Sequence, residues 1–397
     1  MARTWQSQLE RWRQAGLIEP ATADAIQAWE QAQPQQTRLQ APVLVTIALG
    51  GVLVAAGLLL FVSTHWEALA PGQRFGLLLA LVVGLHGGGA AVEERFAPLA
   101  LALHGVGTVT LGAGIFLAGQ IFHLEAHWPL GLLLWAIGAG LGWGLLRQWP
   151  QLALLALLVP SWLVSEWGVA VEGARADVQL NSSDPTALAV TAAGLLLTCL
   201  SYLGAPLGSG STSAARRVLL WIGGLGLLPA ALLWLVACLS MDSWRAWALG
   251  SQPTTGLPLP LAAAGWSLAL GVPLLLGWLL RGSRVTPLGV AIGWLLVSLA
   301  TGGGQRFEPG LVTYLWWAVG GLLLLAWGVA EGRSERINFG VAVIGLDVLA
   351  FYVSQVMDAL GRSASLIGLG VLFLGGGWGL EVLRRRLVAR AVRPEAP

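Results

Sequence analysis

The chain has no lysine among its 397 residues, and charged side chains of every kind make up only 11% of it. A soluble globular domain carries about 25%, so most of this chain is not built for water. Every basic residue is an arginine, and the formal net charge is only +2. That balance lacks the basic excess of a nucleic-acid binder, so no nucleic-acid partner is expected. The two cysteines, Cys199 and Cys238, lie in different apolar runs without metal or redox spacing. Placed near opposite faces of a membrane, they are expected to stay unbridged. The chain also lacks a GxSxG elbow, a GxxxxGK[ST] phosphate loop and any polar stretch long enough for a soluble active site. No catalytic residues are expected. The first 40 residues are polar and amphipathic, so no cleavable leader is expected either.

Hydrophobic residues, by contrast, form 56% of the chain, and the mean hydropathy is +0.73. They fall in repeated runs of roughly 20 residues, enough to cross about 30 Å of hydrocarbon at 1.5 Å per residue. Lipid offers the backbone no hydrogen-bond partner, so such runs must be helical. The expected fold is an all-α polytopic transmembrane bundle of about twelve spans. These lie at 41–62, 75–92, 98–122, 128–146, 151–170, 186–204, 217–240, 261–280, 286–302, 309–330, 337–356 and 363–383. With the N-terminus inside, seventeen of the 22 arginines fall on the inner side and five (Arg74, Arg175, Arg245, Arg306 and Arg362) on the outer. The positive-inside rule then places both termini in the cytoplasm. Trp66, Trp128, Trp149, Trp167, Trp244 and Trp247 fall at the expected membrane boundaries, as anchors would. Glycine pairs four apart (Gly84 and Gly88, Gly138 and Gly142, Gly140 and Gly144) would let helices approach closely. Pro160, Pro229 and Pro273 fall inside spans, where kinks are expected.

Four regions follow from this reading. Residues 1–40 form a cytoplasmic amphipathic helical hairpin, with Gly16 capping the first helix and Pro20 opening the second. Its apolar side, Leu17, Ile18, Ile26 and Trp29, is suited to the membrane surface, the bundle or a protein partner. Residues 41–204 and 205–383 are two six-helix halves, and 384–397 is a basic tail. Arg384, Arg385 and Arg386 lie close enough to the bilayer to bind anionic lipid.

Some loops carry a resemblance. Phe61-Val62-Ser63-Thr64-His65-Trp66-Glu67 looks like the end of the first membrane helix, and the loop after it, in a known family. Gly119-Gln120-Ile121-Phe122-His123-Leu124, followed by Trp128-Pro129 and Trp135, is similar to a second recurring stretch. The earlier Gly16-Leu17-Ile18 is similar to that family's N-terminal segment. On these residues the chain resembles the prokaryotic predicted-membrane-protein family of domain of unknown function twenty-one fifty-seven. Near the C-terminus, Arg336-Ile337-Asn338-Phe339-Gly340 and Gly361-Arg362-Ser363 resemble a related uncharacterised membrane domain. That pattern often has an Arg-Tyr pair where this chain has Phe351-Tyr352. The resemblance implies a bacterial multi-pass protein of the inner membrane and brings no established activity.

All five histidines lie between residues 65 and 127, so any imidazole chemistry belongs to the first half. His65 and Glu67 in one outer loop, with His123, Glu125 and His127 in the next, form a donor set suited to Zn²⁺. The plainer reading is that these groups are solvated or cap helices. His86 and His104 each sit about 10 Å from the inner boundary by helix rise, on neighbouring antiparallel spans, and so share a depth. A haem between them, a proton relay, or two separately hydrogen-bonded neutral rings all suit that placement. Asp347 lies near the middle of a span, where a carboxylate costs about 2.5–3.5 kcal/mol to insert and must face protein, water or a ligand. Gln120 and Glu166 are expected to line a cavity beneath the outer loops. Binding or passage of a small solute or ion through the bundle is the leading expectation. A metal or haem protein and a non-catalytic scaffold or sensor are the alternatives.

Overall fold

The structure, a computed structural model, describes residues 5–32, 49, 50, 53, 57, 70–122, 127–178, 185–205, 213–239, 257–301, 310–356 and 362–392. Among the described residues every regular element is helical. Ten stretches of them are long and apolar enough to cross a bilayer, and one, Leu259–Leu299, holds two helices. The chain is thus an all-α, many-helix membrane protein. The first expected span, 41–62, lies mostly outside the described residues.

Two compact units divide the chain, Met1–Ala68 with Gly88–Leu103, and Leu69–Gly87 with His104–Pro397. In the first, α1 (Trp5–Gln14) and α2 (Pro20–Ala32) are in contact, with Leu9 and Ala23 buried. Gly16 ends α1 at a positive φ of 67°. There Leu17 N donates to Trp12 O and Gly16 N to Arg13 O, the two bonds of a Schellman cap. Leu17 itself is 72% exposed, so part of the hairpin's apolar side is uncovered.

Helices α3 (Pro71–Val92) and α4 (Ala97–Ile121) contribute to both units. The second unit continues with α5 (Pro129–Leu146), α6 (Trp149–Val178), α7 (Pro185–Leu203) and α8 (Ala214–Leu239). Then come α9 (Leu259–Arg281), a 3-10 turn (Gly282–Val285), α10 (Thr286–Thr301), α11 (Leu311–Ala330) and α12 (Ser334–Phe351). Short π turns follow α12 and separate α13 (Arg362–Val371) from α14 (Gly377–Val392).

Helix α7 is the centre of this unit, touching α6, α8, α9 and α10. Its Ala189, Ala192, Ala193, Leu196 and Leu197 recur at three- and four-residue steps and make one stripe of buried small and branched side chains. They meet Leu220, Leu227, Ala230 and Trp234 of α8. Between helices in lipid, this kind of van der Waals fit replaces the hydrophobic driving force.

The glycine pairs singled out in the sequence divide between open space and close contact. Gly84 and Gly144 face open space, Gly88 has only an ordinary contact, and Gly138 and Gly142 are filled by Leu111 and Gln151. Close backbone approaches lie at other glycines: a methyl group on Gly223 of α8 would stand 2.7 Å from Cys199 O of α7, and one on Gly328 of α11 2.8 Å from Ile337 N of α12. A methyl group on Gly340 would stand 3.0 Å from Leu325 N and 3.1 Å from Gly321 O. Trp167 is likewise not a simple boundary anchor. Its indole N–H donates to Ala187 O at 3.1 Å, and its ring lies against Gly265.

Pro160, Pro229 and Pro273 are all inside helices. Proline has no N–H, so Pro160 leaves the carbonyl four residues back, at Ala156, without its helical donor. Tyr202 of α7 fills that vacancy, its hydroxyl donating to Ala156 O at 2.6 Å. The proline and the helix contact are therefore one device. Tyr202→Phe should strand a half-buried carbonyl and lower stability by about 1–3 kcal/mol. Thermal unfolding of the purified protein in detergent measures it, and an unchanged midpoint would mean water replaces the hydroxyl.

Candidate functional site

Two polar constellations stand out among the apolar helices of the second unit. The first joins α3 and α4. His86 Nδ1 lies 3.0 Å from His104 Nδ1, with ring centroids 5.3 Å apart. The local sequence makes room for this. A side chain at Gly107 would meet the His86 ring at 2.9 Å, so only glycine there lets the imidazole lie flat on α4. Thr108 returns its hydroxyl to His104 O at 2.9 Å, and Trp135 of α5 donates its indole N–H to Thr108 O at 2.9 Å. His104 is only 2% exposed.

The tautomers of such a pair are complementary. One ring must carry its proton on Nδ1 and the other must present a lone pair there. Whichever ring donates, His104 Nε2 remains buried with no partner. It is either an unused N–H or an unused lone pair, and most buried polar atoms are neither. The same geometry does not suit an ion held in line between the two Nδ1 atoms. Nitrogens at about 2.0 Å on opposite sides of an ion would stand about 4 Å apart, and 3.0 Å is direct hydrogen-bond contact.

Of the five outer-loop donors, His65, Glu67, His123 and Glu125 lie outside the described residues. His127 is described, and its Nε2 lies 2.5 Å from Glu166 Oε2. Trp162 donates to the other carboxylate oxygen at 2.9 Å. Among the described residues no three His, Cys, Asp or Glu side chains are grouped closely enough to hold a metal ion. His127 and Gln120 line an open apolar cleft of about 860 Å³ between α3, α4 and α5. Glu166 touches that cleft only through His127. Asp347 is half-buried on α12, on the helical face that also carries Gly340, Ile344 and Phe351. Among the described residues, neither it nor the two paired histidines line the cleft or the two smaller cavities of the unit. In the tail, Arg384 and Arg385 both bond Glu381, at 2.6 and 2.7 Å.

The second constellation is, in the sequence, only a topology signal. At one end of the unit, α7, α8, α9, α11 and α12 converge on four arginines. Arg216, Arg333 and Arg336 are 4%, 8% and 1% exposed. Three of the four cap α7, whose last carbonyls have no helical donor. Arg281 donates to Ser201 O at 2.5 Å, Arg333 to Ala205 O at 3.0 Å, and Arg336 to Leu203 O at 3.1 and 3.3 Å. Guanidinium groups at a helix C-terminus also meet the negative end of its dipole.

Two carboxylates answer these cations. Arg336 Nη1 stands 2.6 Å from Glu331 Oε2, an ion pair by distance though not an aligned hydrogen bond. Arg333 Nε is 3.5 Å from the same oxygen, and Arg216 reaches Glu335 at 3.4 Å. Trp327 holds the other Glu331 oxygen at 2.7 Å, while the Arg336 guanidinium lies 3.7 Å over the Trp327 ring. Burial works to raise the Glu331 carboxyl. The close contact with Arg336, the hydrogen bond from Trp327 and the charges of Arg336 and Arg333 outweigh it, so the group ionises below the ordinary carboxylate range. Arg333 is pushed down by burial first and then by Arg336 and Arg216 beside it.

A sequence signal for this cluster existed. Arg333 and Arg336 stand at the N-terminal end of α12, where the helix dipole disfavours a cation. Their partner therefore had to be another element.

No curated protein matches the chain, and no solved structure does. Residues 10–152, which hold most of the hairpin and both members of the histidine pair, match the family described as "Predicted membrane protein (DUF2157)".

Proposed function

We propose that the protein binds and passes a small ion through its helical bundle, and that the ion is the proton. The His86–His104 pair would be the group that carries it. One observation supports this above the others: two imidazoles share a direct Nδ1···Nδ1 contact while His104 Nε2 stays buried and unused.

Such a pair can hand a proton along without any other cofactor. A proton added to Nε2 of the donor ring makes it an imidazolium. That ring passes its Nδ1 proton across 3.0 Å to the second ring, which then releases the proton on its own Nε2. Atoms and charge balance, and each passage inverts the hydrogen bond, so the rings must reset before the next proton in the same direction. Asp347 is a second protonatable group on another helix, and ionisable residues within membranes are by default candidates for such paths. In this reading the protein sits in a bacterial inner membrane with both termini cytoplasmic, as the arginine distribution suggests.

Proteoliposomes holding a pH-sensitive dye, with an imposed membrane potential, test it. The wild type should change the lumenal pH faster than protein-free vesicles. His86→Gln and His104→Gln keep a hydrogen-bonding side chain but cannot become cations, and each should lower the rate about a hundredfold, the lower end of what a positioned proton-transfer group contributes. Asp347→Asn should also slow it. A wild type no faster than empty vesicles, or histidine variants as fast as wild type, would sink the reading.

A further inference from the structure

The arginine cluster carries more positive charge than its partners neutralise. Four arginines face two glutamates, Glu331 and Glu335, which leaves two positive charges. The end of α7 supplies only about half a negative charge. Residues 206–212, which join α7 to α8, include no acid. Within the cluster, Arg216 Nε and Arg281 Nε are buried and have no hydrogen-bond partner among the described residues. Uncompensated buried charge is costly, and buried ions are normally paired. An anion is the missing partner.

The chemistry of that anion is indicated by what lies beside it. A cavity of about 390 Å³ runs between α7, α8, α10, α11 and α12, and its walls are almost wholly apolar. One end of it is made by Leu200, Trp327 and Ala330. These residues adjoin the cluster directly: Ser201 accepts from Arg281, Glu331 pairs with Arg336, and Trp327 carries the Arg336 guanidinium on its ring. Among its lining residues Val290 of α10 and Leu323 of α11 are exposed, which assigns its opening to the gap between these helices. In a bilayer that opening faces lipid. We propose that this site binds one phospholipid with an anionic headgroup, its phosphate among the arginines and an acyl chain in the cavity.

Native mass spectrometry of the full chain in a neutral detergent tests this with phosphatidylglycerol, phosphatidylcholine and inorganic phosphate as separate probes. Phosphatidylglycerol should be retained one to one and at least about tenfold more tightly than phosphatidylcholine, as expected when charge-assisted contacts distinguish the two. Inorganic phosphate at equal concentration should not displace it. Arg281→Gln should weaken phosphatidylglycerol at least about tenfold. Ala291→Phe, which fills the cavity and touches no arginine, should do the same while leaving the elution profile unchanged, which keeps the test open if the arginine variant misfolds. Replacing Arg384 and Arg385 of the tail by glutamine should change nothing. Equal retention of the two lipids, or a folded Ala291→Phe that binds as tightly as wild type, would overturn the proposal. Saturation by inorganic phosphate would do so too, because it marks a free-anion site.

Discussion

Replacing Arg336 by methionine is expected to lower the stability of the protein by about 3–5 kcal/mol, the range seen when one partner of a buried ion pair is removed. The side chain is 1% exposed and performs three tasks at once. It donates twice to Leu203 O, pairs with Glu331 and stacks on Trp327. Methionine matches the volume and fills the gap, so the loss would come from the orphaned carbonyl and carboxylate rather than from a void. The double variant Arg336→Met with Glu331→Leu should recover part of the loss, because no carboxylate is then left buried without its main partner. Scanning fluorimetry in detergent reads both. The same ion pair sets an acid limit. Glu331 ionises below the ordinary carboxylate range, so it binds its proton less readily folded than unfolded. Its contribution is complete above the unfolded pKa of about 4.3 and is lost as pH falls through the lower folded value. The wild-type midpoint should hold through mild acid and drop only below that range, and Glu331→Gln should remove this part of the drop. A midpoint for Arg336→Met within about 1 kcal/mol of wild type, the scale of an exposed ion pair, would mean the cluster is not packed as described.

Gly340→Leu is expected to have the second large effect. Overpacking usually costs about 1–3 kcal/mol because neighbouring side chains can shift. At Gly340 the nearest atoms include backbone on the opposing helix, Leu325 N at 3.0 Å and Gly321 O at 3.1 Å, so only separation of α11 from α12 could relieve the clash. The effect should therefore reach or pass the top of that range. It should also spread, since Phe339 on the next position occupies the place of a missing side chain at Gly224 of α8. Loss of the folded fraction on size-exclusion chromatography measures it. Gly84→Leu, where no atom lies within 4 Å, is the matched control and should elute like wild type.

Composition alone made the helical membrane class legible, because apolar runs of bilayer length admit no other backbone arrangement. Caps that depend on a few consecutive residues were legible as well, as at Gly16 and Pro20. Contacts between helices were not. Glycine spacing pointed to Gly138 and Gly142, which meet Leu111 and Gln151, but equally to Gly84 and Gly144, which face open space, and it passed over Gly224 and Gly340; in a chain with 54 glycines, spacing carries little information about which face meets a neighbour. The histidines could be placed at a common depth by counting residues, yet their rotation about the helix axes, which decides whether Nδ1 meets Nδ1, is a property of packing. The arginines show the same limit from the other side. Charge bias assigns them to one face of a membrane, and says nothing of whether each lies in water or is folded over the end of another helix.

The bonds that finish α7 come from far along the chain. Ser201 waits for Arg281, 80 residues later, Ala205 for Arg333, 128 residues later, and Leu203 for Arg336, 133 residues later. At 5–20 residues per second, translation would reach Arg336 roughly 7–27 s after Leu203 has been made. During that interval the nascent helix has a ragged terminus that its own neighbours cannot mend. Insertion of the C-terminal third therefore completes a segment threaded into the bilayer well before it, and a ribosome stalled ahead of Arg336 would hold an intermediate open to quality-control proteases at that point.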